Sequence, residues 1–191
     1  MPAPSQPRLA IPPALWPAYT STIAVAIAVA GDGASPRRST IGWMLGAWGA
    51  RLAVQSAFAP FPASELPVLT SKFSLLGFCL LFALPAVLAS HNPDPVLSLL
   101  EIVAAGVWVF GFAGETTADR QRMRFMARAG SADMPFRGGV WRWVPHAHAV
   151  CELMIWSALA LFATASPWGW TAWFCPLVRL YLLRPRYSPR S

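Results

Sequence analysis

Six apolar runs, separated by short polar or proline-rich connections, dominate the chain: Leu15–Ala30, Ile41–Phe58, Phe73–Ala89, Val96–Gly114, Ala149–Ala165 and Trp168–Leu183. A helix needs about 20 apolar residues to cross a hydrocarbon layer of ~30 Å. Lipid also forces a crossing backbone to satisfy its own hydrogen bonds within helices. The pattern therefore predicts an all-α fold, a multi-pass transmembrane helical bundle of about six spans. The short, alanine-rich first run either just spans or lies partly buried in protein. The connections carry the expected punctuation: Gly31-Asp32-Gly33 is a turn, Pro60, Pro62 and Pro67 exclude helix, and His91-Asn92-Pro93-Asp94-Pro95 is a tight link. Pro85 is expected to kink the end of the third run.

This reading divides the chain into a proline-rich arm (1–13), a single bundle (14–183) with a polar loop at 115–147, and a basic tail (184–191). Arg8 is the only basic side chain before the first run, which reads against a cleaved secretory signal.

Composition narrows the class further. Hydrophobic residues make up 55% of the 191 and charged residues 12%, about half the charged share of a soluble domain. The net charge of +7 would suggest nucleic acid in a soluble protein, but here the arginines sit between apolar runs and no nucleic-acid-binding signature accompanies them. Six spans would put Arg8, Lys72, the loop arginines 120, 122, 124, 128, 137 and 142, and Arg184, Arg186 and Arg190 on one side, against Arg37 and Arg38 on the other. That asymmetry predicts both termini on the cytoplasmic side or its organellar equivalent. The compartment itself, whether organellar membrane, endoplasmic reticulum or bacterial inner membrane, is not specified. Cys79, Cys151 and Cys175 lie within apolar runs without a CxxC, so they read as small buried hydrophobes.

Polar residues inside apolar runs are the candidate chemistry. Arg51 and Glu101 each interrupt a run, and a charge there faces a polar interior or an opposite partner. They are the expected intramembrane pair; the alternative is that Arg51 snorkels to the interface. Glu115, Asp119, Arg122 and Met126 share one face if a helix continues past the fourth run. That helix would be juxtamembrane, its arginines touching anionic lipid heads. Val140-Trp141-Arg142-Trp143 has the make-up of an interface anchor. His148 and Glu152, four apart, share a helix face as a polar pocket or as metal ligands, although a metal site needs more ligands than this spacing supplies, so no metal is expected.

The order of these features resembles a known family. The block Gly111, Phe112, Glu115, Thr116, Ala118, Asp119, Gln121, Arg124, Phe125 (GFxxETxADxQxxRF), followed by GGVWRW and a His-containing motif ending in Glu, is similar to the steroid 5-alpha-reductase-like membrane reductases. Those share their carboxy-terminal architecture with isoprenylcysteine carboxyl methyltransferases. The resemblance covers about residues 41–156, including WGARL around Arg51 and the acidic residue ahead of Val107-Trp108. It implies NADPH held between the carboxy-terminal helices and a cytoplasmic loop, and reduction of a carbon–carbon double bond in a lipid. The residues it would place at the cofactor are Glu115, Asp119, Gln121, Arg124, His146, His148 and Glu152.

The motif of the family, Ser-Arg-His-Pro-Asn-Tyr-Phe-Gly-Glu, is only partly kept. His146 and Glu152 match, while Pro145 replaces the arginine, His148 the asparagine, Ala149 the tyrosine and Cys151 the glycine. A phosphate needs several charge-assisted donors, and the motif arginine supplied a fork of them. The expectation is therefore a reductase-like fold with an eroded NADPH motif, serving as a non-catalytic accessory or scaffold subunit among membrane lipids and other membrane protein subunits. The alternative is an active NADPH-dependent reductase.

Overall fold

The structure is a computed structural model that describes residues 15–58, 72–129, 138–144 and 146–187. The expected arm at 1–13 and the proline connection at 60–67 lie outside the described residues. The described residues form seven α-helices in order: α1 Leu15–Ala30, α2 Ser35–Phe58, α3 Lys72–Ser90, α4 Leu99–Ala129, α5 Val140–Trp143, α6 Ala147–Ala163 and α7 Phe174–Tyr187. A 3-10 turn, Gly169–Trp173, leads into α7 and splits the expected last run. No strand occurs among the described residues, so the all-α class stands.

The six-span expectation reduces to a coarser result. Among the described residues only α4, over Leu99–Arg128, is both long and apolar enough to cross a membrane; the apolar stretches Ser21–Ala30, Cys79–Ser90 and Ala147–Ala163 are shorter. The helix boundaries explain the difference. α2 starts at Ser35, ahead of its apolar run, and so takes in Arg37 and Arg38 as well as Arg51. α4 fuses the fourth run with the predicted juxtamembrane helix into one rod of 31 residues, about 45 Å at ~1.5 Å per residue. α3 continues as helix through Pro85.

One end of the bundle is fastened by main-chain bonds between connections. The Gly33 amide donates to the Ser90 carbonyl at 2.9 Å and the Ala34 amide to the Asn92 carbonyl at 2.8 Å. The Asn92 side-chain amide donates to the Ala165 carbonyl at 3.0 Å. The polar Gly31–Gly33 turn and the Asn92 link thus satisfy each other's backbone groups.

At this end Ser98 and Glu101 form a capping box on α4: the Ser98 amide donates to Glu101 Oε2 at 2.7 Å and the Glu101 amide to Ser98 Oγ at 3.3 Å. Arg37 completes the group, donating from Nε to Glu101 Oε1 at 2.5 Å and from Nη2 to Oε2 at 2.9 Å and to the Val96 carbonyl at 2.7 Å. The expected Arg51–Glu101 pair is therefore corrected. Glu101 lies in the first turn of α4 and is taken by Arg37, while Arg51 lies more than three turns further along α2.

The core is built from α2, α3, α4 and α6 around Trp48, Phe82, Trp108, Ile155, Trp156, Leu159 and Phe162. Trp156 meets Trp48 and Phe82 edge-on, with ring centroids 5.1 Å and 4.1 Å away. Large apolar side chains also face outward along α4 (Leu99, Ile102, Val109, Phe110) and around α7 (Trp170, Phe174, Leu177, Tyr181). Exposed apolar surface of this extent suits lipid rather than water.

Candidate functional site: a buried six-residue ion cluster

The site begins with small residues. Gly111 and Gly114 stand one turn apart on α4, and a Cβ added to them would sit 3.1 Å from Ile155 Cγ1 and 2.8 Å from Cys151 Sγ respectively. Ala118 and Ala147 are fully buried on the same seam. Without bulk between them α4 and α6 approach closely, and this brings two i,i+4 pairs together: Glu115 with Asp119 on α4, His148 with Glu152 on α6. Helical spacing put each pair on one face; the glycine seam makes the two faces meet.

Two arginines close the group. Arg51 reaches from α2 and forks, with Nη2 2.6 Å from Glu115 Oε1 and Nη1 2.7 Å from Asp119 Oδ2. Its guanidinium also lies 5.8 Å from the centre of the Phe112 ring, a cation–π distance. His148 Nδ1 is 2.9 Å from Asp119 Oδ1 and 3.7 Å from Glu115 Oε1, and its Nε2 is 3.8 Å from Glu152 Oε2. Arg179 of α7 donates from Nη2 to Glu152 Oε2. Except for His148, every member is at most 10% exposed, so the cluster is shielded from water. Two arginines against three carboxylates sum to minus one, and a protonated His148 brings the sum to zero. Charges this buried persist only when paired.

The other candidate residues lie elsewhere. Gln121 holds α5: its Oε1 accepts from the Val140 amide at 3.0 Å, while the Trp141 indole donates to the Ala118 carbonyl at 3.1 Å. Gly139 makes this possible, since its φ is +57° and a Cβ there would lie 2.3 Å from Gln121 Oε1. His146 takes the left-handed conformation and starts α6, its carbonyl accepting from the Val150 amide at 3.1 Å, with its side chain at the surface. Arg124 is exposed on the outer face of α4. So Glu115, Asp119, His148 and Glu152 are brought together, and Gln121, Arg124 and His146 are not among the cluster's bonded members. Sequence reasoning missed Arg179 as a member, though an arginine inside the apolar Leu177–Leu183 stretch carries the same signal that flagged Arg51.

The cluster itself offers a dinucleotide little free positive charge. Dinucleotide phosphates need free cationic donors, but both guanidinium groups of the cluster are held by its own carboxylates. The exposed arginines 120, 124 and 128 lie on the far side of α4. One atom each from Glu115, Asp119 and His148 lie within 4.8 Å of one another, a spacing compatible with a divalent cation. Arg51 already supplies fixed positive charge to both carboxylates, and a metal would have to displace it.

No curated protein and no solved structure matches the chain. A family model described as "Protein of unknown function (DUF1295)" matches residues 73–187, which is 187 − 73 + 1 = 115 of the 191 residues, more than half. The matched segment holds Glu115, Asp119, His148, Glu152 and Arg179; Arg51 and Arg37 precede it. The chain therefore belongs to DUF1295, a steroid 5-alpha-reductase-like family of unknown function.

Proposed function

We propose that this chain is a multi-pass integral membrane protein that keeps a reductase-like helical frame without its catalysis, and works as an accessory or scaffold subunit of a larger membrane complex. The observation that carries this reading is the ion cluster. Four of the seven positions the family resemblance assigns to cofactor binding, Glu115, Asp119, His148 and Glu152, direct their charge to Arg51, Arg179 and one another. Such a cluster locks α2, α4, α6 and α7 together at one end of the bundle. Its partners on this reading are membrane lipids and other membrane subunits. Trp43, Trp143 and Trp168, each more than 70% exposed, supply the aromatic surface that both kinds of partner favour.

The test pairs two measurements on the full chain. Detergent extraction under mild conditions should bring the protein out with a large assembly. The isolated chain should unfold at the same temperature with and without NADPH, whereas a cofactor at a hundredfold its dissociation constant would add about 2.7 kcal/mol. A clear NADPH-dependent rise in melting temperature, together with oxidation of NADPH in the presence of an unsaturated lipid, would establish the reductase reading instead.

A further inference from the structure

We infer that the outer face of α4 is a binding strip for anionic phospholipid, with Arg120, Arg124 and Arg128 holding the headgroup phosphate and the apolar residues below them holding the acyl chains. This rests on the membrane reading above and adds the class of lipid and the residues that select it.

The helical register of α4 aligns these residues. Along α4 the exposed positions include Leu99, Ile102, Val103, Gly106, Val109, Phe110, Ala113 and Thr117, and then Arg120, Arg124 and Arg128. An α-helix advances about 100° per residue, so positions 18 apart fall on one line after five turns. Arg120 follows Ile102 by 120 − 102 = 18, Arg124 follows Gly106 by 18, and Arg128 follows Phe110 by 18. The three guanidinium groups thus crown the apolar stripe, rather than the face that carries Glu115 and Asp119 into the bundle. The rise over 18 residues is about 27 Å, close to the ~30 Å of a hydrocarbon layer.

A second element marks the same level. Trp141, on α5, is bonded to the Ala118 carbonyl and Val140 to Gln121. That sets α5, with its exposed Arg142 and the 81% exposed Trp143, at the level of residues 118–121 on α4, where the row of arginines begins. Exposed tryptophan and arginine at one depth are the signature of the headgroup zone. Among the described residues no acidic side chain of α4 lies on the stripe: Glu115 and Asp119 are buried against α6 and α2, and Glu101 is buried at the other end of the helix. Arginine forks match phosphate oxygens in pairs. An anionic lipid satisfies charge and apolar stripe together, which a free phosphate does not.

The experiment uses the full chain in phosphatidylcholine vesicles with trace spin-labelled phosphatidylglycerol or phosphatidylcholine, reading the motionally restricted fraction by electron paramagnetic resonance. The expected preference for phosphatidylglycerol is about fivefold or more, equivalent to about 1 kcal/mol, and it shrinks in 1 M NaCl. In the triple variant Arg120→Gln, Arg124→Gln, Arg128→Gln the two lipids become nearly equivalent, while the triple Arg→Lys variant retains most of the preference. Unchanged helical circular dichroism shows that all three proteins remain folded. Equal restriction of both lipids by the unaltered protein, or a preference that survives in the Gln variant, overturns the inference. So does loss of the preference to millimolar inorganic phosphate at matched ionic strength, which would mark a site for the free ion. Failure to float with neutral vesicles at all would instead sink the membrane reading beneath it, and this inference with it.

Discussion

Arg51 is the member of the ion cluster whose removal has the most calculable effect. It touches two carboxylates, at 2.6 Å and 2.7 Å, and is 10% exposed. Replacing it with methionine keeps the aliphatic bulk and leaves the cluster at minus two before protonation of His148. Breaking a buried pair by removing one partner costs about 3–5 kcal/mol, because the remaining charge stays buried. For a chain of this size that is a fall in melting temperature of about 6–20 °C.

The geometry also says which carboxylate is orphaned. Asp119 keeps His148 at 2.9 Å, whereas Glu115 is left with His148 at 3.7 Å and has an Oε2 that bonds to nothing among the described residues. Added to Arg51→Met, Glu115→Gln should therefore recover about half of the loss, and Asp119→Asn should recover less. Thermal unfolding of the four proteins in one detergent, followed by circular dichroism, provides the comparison. A cost for Arg51→Met below about 1 kcal/mol, the value of an exposed pair, would refute the claim that the cluster is a lock. Better rescue by Asp119→Asn than by Glu115→Gln would refute the assignment of the orphan.

Further outcomes follow from the same contacts. Arg37→Met should cost about 3–5 kcal/mol, but Glu101→Gln less, because glutamine still serves the capping box with Ser98; in a double-mutant cycle read by thermal unfolding the two should fail to add by more than about 0.5 kcal/mol. Gly114→Ala, whose Cβ would sit 2.8 Å from Cys151 Sγ, should destabilise by about 1–3 kcal/mol, and Cys151→Ala in the same chain should relieve most of that loss in the same assay. Gly139→Ala should loosen α5 while leaving the bundle intact, since the positive φ and the Gln121 contact are local; limited proteolysis should accelerate near α5 with little change in melting temperature.

Much of this architecture was legible in the order of apolar runs, and what was not legible depended on which helices lie parallel. The runs matched α1 and α3 within a residue or two and placed the others while missing some of their ends, the Gly31–Gly33 turn is where two connections bond, and the continuation of α4 through Asp119 was readable from the face shared by Glu115, Asp119, Arg122 and Met126. The partner of Arg51 was misassigned because both it and Glu101 interrupt apolar runs, which suggests a shared depth in the membrane. Helix starts decide otherwise. α2 and α4 begin at the same end of the bundle, so charges pair when they lie equally far along each: Arg37 and Glu101 are both third residues of their helices. Arg51 comes 51 − 37 = 14 residues later and Glu115 comes 115 − 101 = 14 residues later, so both pairs have the same separation of 64 in sequence. Two arginines and two glutamates at equal spacing on two helices were visible in the sequence all along. What the sequence lacked was the direction of α2 relative to α4, which is fixed by the connections at 31–34 and 90–98 and by the glycine seam on the other side of α4. That two-point register explains why the cluster can be buried at all. With Arg37 pinning one end, Arg51 reaches the cluster about 21 Å further along already aligned, and the entropy of ordering its side chain is largely spent by the helix pairing itself.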